Sequence, residues 1–403
     1  MSGIAAFSGC ATDLIGEKAD LSKVETPTGI AIHPNGRYAY VTGSNFNLDY
    51  RATDGGAIYV VDLEKNVVVK EASKRIGSFA TNIVLSEDGK HGYTVTRDDD
   101  ALVWFEISED GSRIFCPEAD EDSESLLDCR VILDDDPTHI AITRSYREKV
   151  YVDDNGVEYR VKVEFDLLMI AQLRNAGVAA VTVRQDQNGK MVFSHKSASF
   201  VYSAAEVLWA GGERFIVTGR AASNLLVISP ALNSDGEVLG LYAKQGIVVP
   251  NGNNVYQGRG MTLDPAGNNM YLLNQYPNSL LKFDVTGLAY DDSASDRALM
   301  TSMLTLPYDM LKLAWIGGND DGYLYLTSVV QDSIYIVDPR QMEIKKVLEV
   351  GDGPYDLVAR DNDLFVVNFL DQNISKFDVS DPLNPVHIMD FLGDTSSTPE
   401  KTE

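Results

Sequence analysis

Five polar side chains recur at matching places along this 403-residue chain: Asn82, His139, Glu206, Lys312 and Asp356. Each stands just before an apolar residue near the start of a short β-rich stretch. Gly29 and Gly260 hold the same place in two further stretches. Gathered at one opening, such a set suits a polar ligand. Glu206, Asn82, His139 and Asp356 could instead hold Ca²⁺ or another divalent ion, which would polarise a carbonyl. The plainest alternative is a hydrated channel lining with no ligand. Arg51, Arg97, Arg220 and Arg259 map to the same end of the stretches, and Tyr355 precedes Asp356. Guanidinium forks pair with carboxylates through two parallel hydrogen bonds, so these arginines point to an anionic ligand. Against that, each arginine could be neutralised locally, as Arg97 could be by Asp98.

No catalytic motif accompanies them. The serines show no G-x-S-x-G elbow. The histidines, His33, His91, His139, His195 and His387, are scattered and form no H-E-x-x-H. Asp98–Asp100 and Asp134–Asp136 do not follow the D-x-[DN]-x-[DN]-G calcium loop and read as solvated acidic turns. A non-enzymatic reading is therefore favoured, with no cofactor.

The elements that position these residues come from a repeat with a period of about 55 residues. Its first copy is PTGIAIHPNGRYAYVTG followed by GAIYVVDLEKNVVVKEAS. Late copies read GYLYLTSVVQDSIYIVDPRQMEIKKVLEVG and GPYDLVARDNDLFVVNFLDQNISKFDVSDPLNPVHIMDFLG. Seven copies can be aligned. Each has four β-rich segments separated by turn signals such as Asn35-Gly36, Asp88-Gly89 and Ala266-Gly267. One such sheet cannot bury both faces, but seven in a ring can. The expected fold is an all-β, seven-bladed propeller of four-stranded antiparallel blades over 27–394. The innermost strands line a central channel. Their starts share one mouth with the loops between second and third strands.

The third copy carries an insertion, NGVEYRVKVEFDLLMIAQLRNAG. Phe165, Leu168, Met169, Gln172 and Leu173 fall at helical spacing, which predicts a short amphipathic helix over 164–175 on the mouth face.

The pattern P-x-G-I-A-x-x-P-x-G-x-x-x-Y-V-T, followed by S-I-Y-V-I-D, resembles the YVTN-type bacterial propeller repeat. Tyr40-Val41-Thr42-Gly43 departs from the name motif only at its last residue. The resemblance is tight in copies one, six and seven and loose in three and four. It implies the propeller fold and an exported or surface binding protein. Related rings include lactonases and redox subunits, so a lactonase-type hydrolase with a channel metal and a redox-partner docking subunit stand as alternatives.

Charge and cysteines bear on compartment and partner. Lys and Arg number 34 against 60 Asp and Glu, a net charge of −26, which disfavours nucleic acid and anionic membrane surfaces. Cys116 and Cys129 bracket PEADEDSESLLD, with six carboxylates. Two free thiols are one reading. A disulfide is the favoured one, because so charged a loop can hardly bury thiols, and it would point to an oxidising compartment. Cys10, in FSGC after IAAF, resembles the lipidation site of a bacterial lipoprotein signal, without the charged and fully apolar segments that should precede it. The expected organisation is a signal remnant and tether at 1–26, the propeller, and a disordered tail at 395–403. The expected setting is the periplasm or outer surface of a bacterium, anchored by lipid at Cys10. The expected partner is another envelope protein or an anionic small ligand.

Overall fold

The structure is a computed structural model and describes residues 18–44, 55–120, 122–133, 136–152, 155–174, 177–201, 203–220, 225–244, 247–248, 257–288 and 298–392. Among these residues the strands form seven sheets, antiparallel except where Ile247–Val248 pairs in parallel with Ala298–Thr305, and each sheet uses one consecutive stretch of chain. The innermost strands are Pro27–Ile32, Ala80–Leu85, Pro137–Val152, Ala204–Trp209, Gly258–Leu263, Leu313–Ile316 and Pro354–Arg360. Each touches the next, and the seventh returns to the first, so the array is a closed propeller. Closure leaves no innermost strand with an open face.

The repeat's sequence signature explains the local structure. In copies one, two and five, the turn after the innermost strand is closed by a glycine N–H donated three residues back, from Gly36 to His33, Gly89 to Ser86 and Gly267 to Asp264. All three glycines have positive φ, between 70° and 77°, which a residue without Cβ adopts at little cost. The aspartate ending the third strand then folds its carboxylate over the following turn. Asp62 accepts the N–H groups of Glu64 and Lys65, Asp338 that of Arg340, and Asp378 that of Ser380.

The apolar positions of the second and third strands pack between blades. Tyr40, Tyr59, Tyr93, Tyr271 and Tyr325 are fully buried among them. Blades 1 and 7 share one core with Ala19, Leu21 and Val24, so the end of the 1–26 segment is part of the packed body. Residues 1–17, with Cys10, and the 395–403 tail lie outside the described residues. Arg360 fastens the closure, donating from Nη1 to the His33 carbonyl at 2.6 Å and from Nη2 to that of Pro34.

Blade 3 corrects one expectation. The 164–175 helix is absent. Glu158–Gln172 is a strand that pairs along its whole length with Pro137–Val152. Leu167 to Ala171 are buried on both faces of that strand. The insertion lengthens this hairpin beyond Arg144 instead, and its turn lies at the end away from the mouth. Tyr151 stacks on Tyr159, its partner across the ribbon, at 5.4 Å between ring centres. The arm leans on blade 4: Arg147 forks onto Glu213 at 2.6 and 2.8 Å, and Lys149 meets Asp235 at 2.5 Å.

Cys116 and Cys129 form a disulfide, with Cα atoms 5.7 Å apart. Both cysteines are buried in the apolar core between blades. The other short elements are two single turns of 3₁₀ helix, Lys70–Ala72 and Thr286–Leu288.

Candidate functional site

The polar column lines the channel, and most of it is committed to holding the blades together. Asn82 uses both ends of its amide on blade 3, donating to the Ile140 carbonyl at 2.8 Å and accepting the Ile140 N–H at 3.1 Å. His139 accepts the Val207 N–H of blade 4 on Nδ1, at 3.4 Å. Asp356 accepts the Ile30 N–H of blade 1 at 3.3 Å and that of Leu357 at 2.9 Å. The neighbouring threonines follow the same rule: Thr28 donates to the Ala80 carbonyl at 2.9 Å. Each side chain thus satisfies backbone groups on the next blade's innermost strand, where no further strand pairs with them.

Three members do meet. Glu206 Oε1 lies 2.5 Å from Lys312 Nζ and 3.0 Å from His139 Nε2. Lys312 belongs to blade 6 and Glu206 to blade 4, so the lysine crosses blade 5. It can do so because Gly260 has no side chain: a Cβ there would come within 3.0 Å of Lys312 Cα. Burial alone would raise the Glu206 pKa, but His139 and Lys312 outweigh it and hold the carboxyl down at about 2. Burial lowers the pKa of His139, and Lys312 lowers it further. A neutral ring fits its contacts, since one nitrogen accepts from Val207 while the other donates to Glu206. Burial raises Asp356 to about 6.

The divalent-metal alternative can be tested on these contacts. Glu206 is already faced by an ammonium, Asn82 by a peptide group, and Asp356 by two backbone N–H donors. Among the described residues no group of three or more His, Cys, Asp or Glu is gathered to hold a metal. The set does not fit a cation.

Above this floor, arginines from blades 2, 4 and 5 converge on the mouth. Arg97 lies over the Phe79 ring at 4.1 Å and forks onto Asp136 at 2.5 and 3.0 Å. Its partner is therefore Asp136, not Asp98. Arg259 donates to Gln275 at 3.2 Å, and Gln275 donates to Asp309 at 2.5 Å. Arg220 follows the second strand of blade 4, with its N–H on the Ser203 carbonyl. Its guanidinium makes no ion pair among the described residues. Crowding by protein lowers its pKa, and the like charges of Arg259 and Arg97 lower it further, with Asp136 opposing. Tyr355 is also near enough for Arg220 to sense, and it packs on Phe369 at 5.7 Å. Arg51 lies outside the described residues.

Asp136, Asp309 and Phe79 are the contributors that sequence reading missed. Asp136 is visible as the residue before the Pro-Thr that opens copy three, but it read as part of an acidic run. The other acidic run, Asp98–Asp100, is structural too: Asp100 accepts the Asp136 N–H at 2.6 Å, and Asp99 pairs with Arg130 at 2.6 Å.

The fold defines a seven-bladed propeller whose channel is crossed by the Lys312–Glu206 pair. The solved structures similar to it share that fold at low identity. They include Kuenenia stuttgartiensis hydrazine synthase (TM-score 0.55, 11% identity, covering 90% of this chain and 97% of that one). Another is a putative 6-phosphogluconolactonase from Bacteroides fragilis (0.52, 14%, 82% and 85%). A third is the Cps50 (Swd1) β-propeller domain of Myceliophteria thermophila (0.57, 12%, 88% and 98%). No protein-family profile matches the chain, and no curated protein matches it in sequence. At these identities the likeness establishes the fold alone.

Proposed function

We propose that this chain is an exported, lipid-anchored propeller of the YVTN type that serves as a binding module at the bacterial cell envelope. It takes an anionic ligand or an acidic protein segment at its mouth and performs no reaction. The convergence of Arg97, Arg220 and Arg259 on one opening, in a chain of net charge −26, carries this reading. Clustering like charges costs free energy, and an anion at the opening returns it. Export is supported by the Cys116–Cys129 bond, which suits an oxidising compartment, and by the FSGC sequence around Cys10.

Titration calorimetry with carboxylates and acidic peptides tests the binding role. Binding that disappears in the Arg97→Ala/Arg220→Ala/Arg259→Ala variant is expected. Lactone hydrolysis that needs a stoichiometric divalent ion and fails in Glu206→Ala would overturn it. Palmitate labelling in cells, compared with Cys10→Ala, tests the anchor separately.

A further inference from the structure

We propose that Arg220 is the residue that receives the ligand, and that the group it receives is a single carboxylate. The inference rests on the mouth reading above and narrows it to one side chain and one chemical class.

The three arginines are not equivalent. Arg97 already has both faces of its fork engaged by Asp136 and its plane covered by Phe79. Arg259 is tied through Gln275 to Asp309. Each therefore brings its own acid, and neither could take a bidentate ligand without giving up a partner. Arg220 has no carboxylate against it among the described residues and stands exposed in the opening. An oxyanion there would relieve its repulsion with Arg259 and Arg97 as well as pair with it directly.

Charge complementarity then selects the class. On one side of the opening three guanidiniums face Asp136 and Asp309, with Arg174 3.6 Å from Asp136 as well, and on the blade 6 and 7 side Asp332, Asp352 and Asp371 crowd one another. In the floor Lys312 is balanced by Glu206, and Asp356 adds a carboxylate of its own. The carboxylates across the opening and in the floor disfavour a dianion, so a monoanion is the better match, and a planar carboxylate matches the fork. A dianionic phosphate would set a second negative charge above Asp356 and opposite Asp352 and Asp371. Tyr355 supplies an apolar face beside the same spot for the body of the ligand.

Phenylglyoxal labelling read by peptide mass spectrometry tests this on the intact chain. The reagent attacks the neutral guanidine, so an unpaired arginine with a lowered pKa reacts first. Arg220 should be modified ahead of Arg97 and Arg259. At fixed ionic strength, a monocarboxylate (acetate, gluconate or N-acetylglycine) present at ten times its Kd should slow that modification about tenfold. Inorganic phosphate should protect less. Arg220→Lys should weaken carboxylate binding in calorimetry about tenfold, with thermal unfolding unchanged.

Protection of Arg97 or Arg259 with none at Arg220 would overturn the assignment and leave the mouth reading standing. Equal or better protection by phosphate would overturn the carboxylate class. If no mouth arginine is protected by any anion, the assignment and the mouth reading fall together.

Discussion

Lys312 Nζ lies 2.5 Å from Glu206 Oε1, although one residue belongs to blade 6, the other to blade 4, and blade 5 stands between them. The strut exists because blade 5 presents Gly260 at that level. A Cβ there would meet Leu313 Cδ2 at 2.9 Å, and Leu311 O and Lys312 Cα at 3.0 Å. Two of these atoms are backbone and cannot turn aside. Gly260→Ala should therefore destabilise the chain by about 1–3 kcal/mol, despite the entropy a glycine replacement usually recovers. Gly240→Ala is the control, because nothing lies within 4 Å of a Cβ at that position. A matched pair of thermal melts should separate the two. Equal melting temperatures would mean the channel has slack.

The same strut sets the acid limb of stability. Folding lowers the Glu206 pKa from 4.5 to about 2. Its contribution is fully present above pH 4.5 and is lost as pH falls from 4.5 to 2. Asp356 has the opposite sign, because folding raises it from 3.8 to about 6. Its ionised form is penalised above pH 6, and that penalty lifts as pH falls from 6 to 3.8. Glu206→Gln leaves Lys312 buried without its counter-charge and should cost about 3–5 kcal/mol at pH 7. The deficit relative to wild type should shrink between pH 4.5 and 2. Asp356→Asn should flatten the profile between pH 7 and 4. Urea melts across pH 2–8 read both slopes, and parallel curves for all three proteins would refute the assignment.

How much of this was legible beforehand follows from what repeats. Turn glycines such as Gly36 and Gly89, the strand-ending Asp62 and Asp338, and the buried tyrosines recur because every blade solves the same packing problem. The fold could therefore be read from period alone. The channel column was legible as a position but not as a set of partners. Whether Asn82 faces a ligand or the Ile140 peptide depends on how closely two blades approach, which no single copy encodes. Likewise Arg97 finds Asp136 across a blade boundary rather than its neighbour Asp98. Blade 3 misled for a different reason. A strand buried on both faces has no alternation, so Phe165, Leu168, Met169 and Gln172 matched a helical period by default.

The disulfide offers a test that leaves the channel untouched. Cys116 and Cys129 are 13 residues apart and close the loop that precedes the outer strand of blade 2, Arg130–Ile132. On the chain-entropy estimate such a loop is worth about 3 kcal/mol. The Cys116→Ser/Cys129→Ser variant should melt lower than wild type, and dithiothreitol should lower wild type towards it. The backbone N–H of Trp104 donates to the Cys129 carbonyl, which places this buried indole next to the bond, so tryptophan emission should report the change. An unaltered melt under reducing conditions would show the bond adds nothing to the folded state.

The hairpin arm of blade 3 should move independently of the ring. Beyond Arg144 its two strands pair only with each other, while from Asp166 onward the second strand also pairs with Val178–Gln185. Its outer half is held to the body by the Arg147–Glu213 fork and the Lys149–Asp235 pair, both partly open to solvent. A partly exposed ion pair is worth about 1 kcal/mol or less. Arg147→Ala should therefore speed amide exchange in 145–164 by severalfold and leave the melting temperature of the ring where it was. Hydrogen exchange read by mass spectrometry resolves the two regions. Faster exchange spreading into Leu167–Ala171, or a lowered global melt, would mean the arm is structurally continuous with the blade core. Unchanged exchange in the arm would mean the ribbon's own pairing, with the Tyr151–Tyr159 stack, holds it without blade 4.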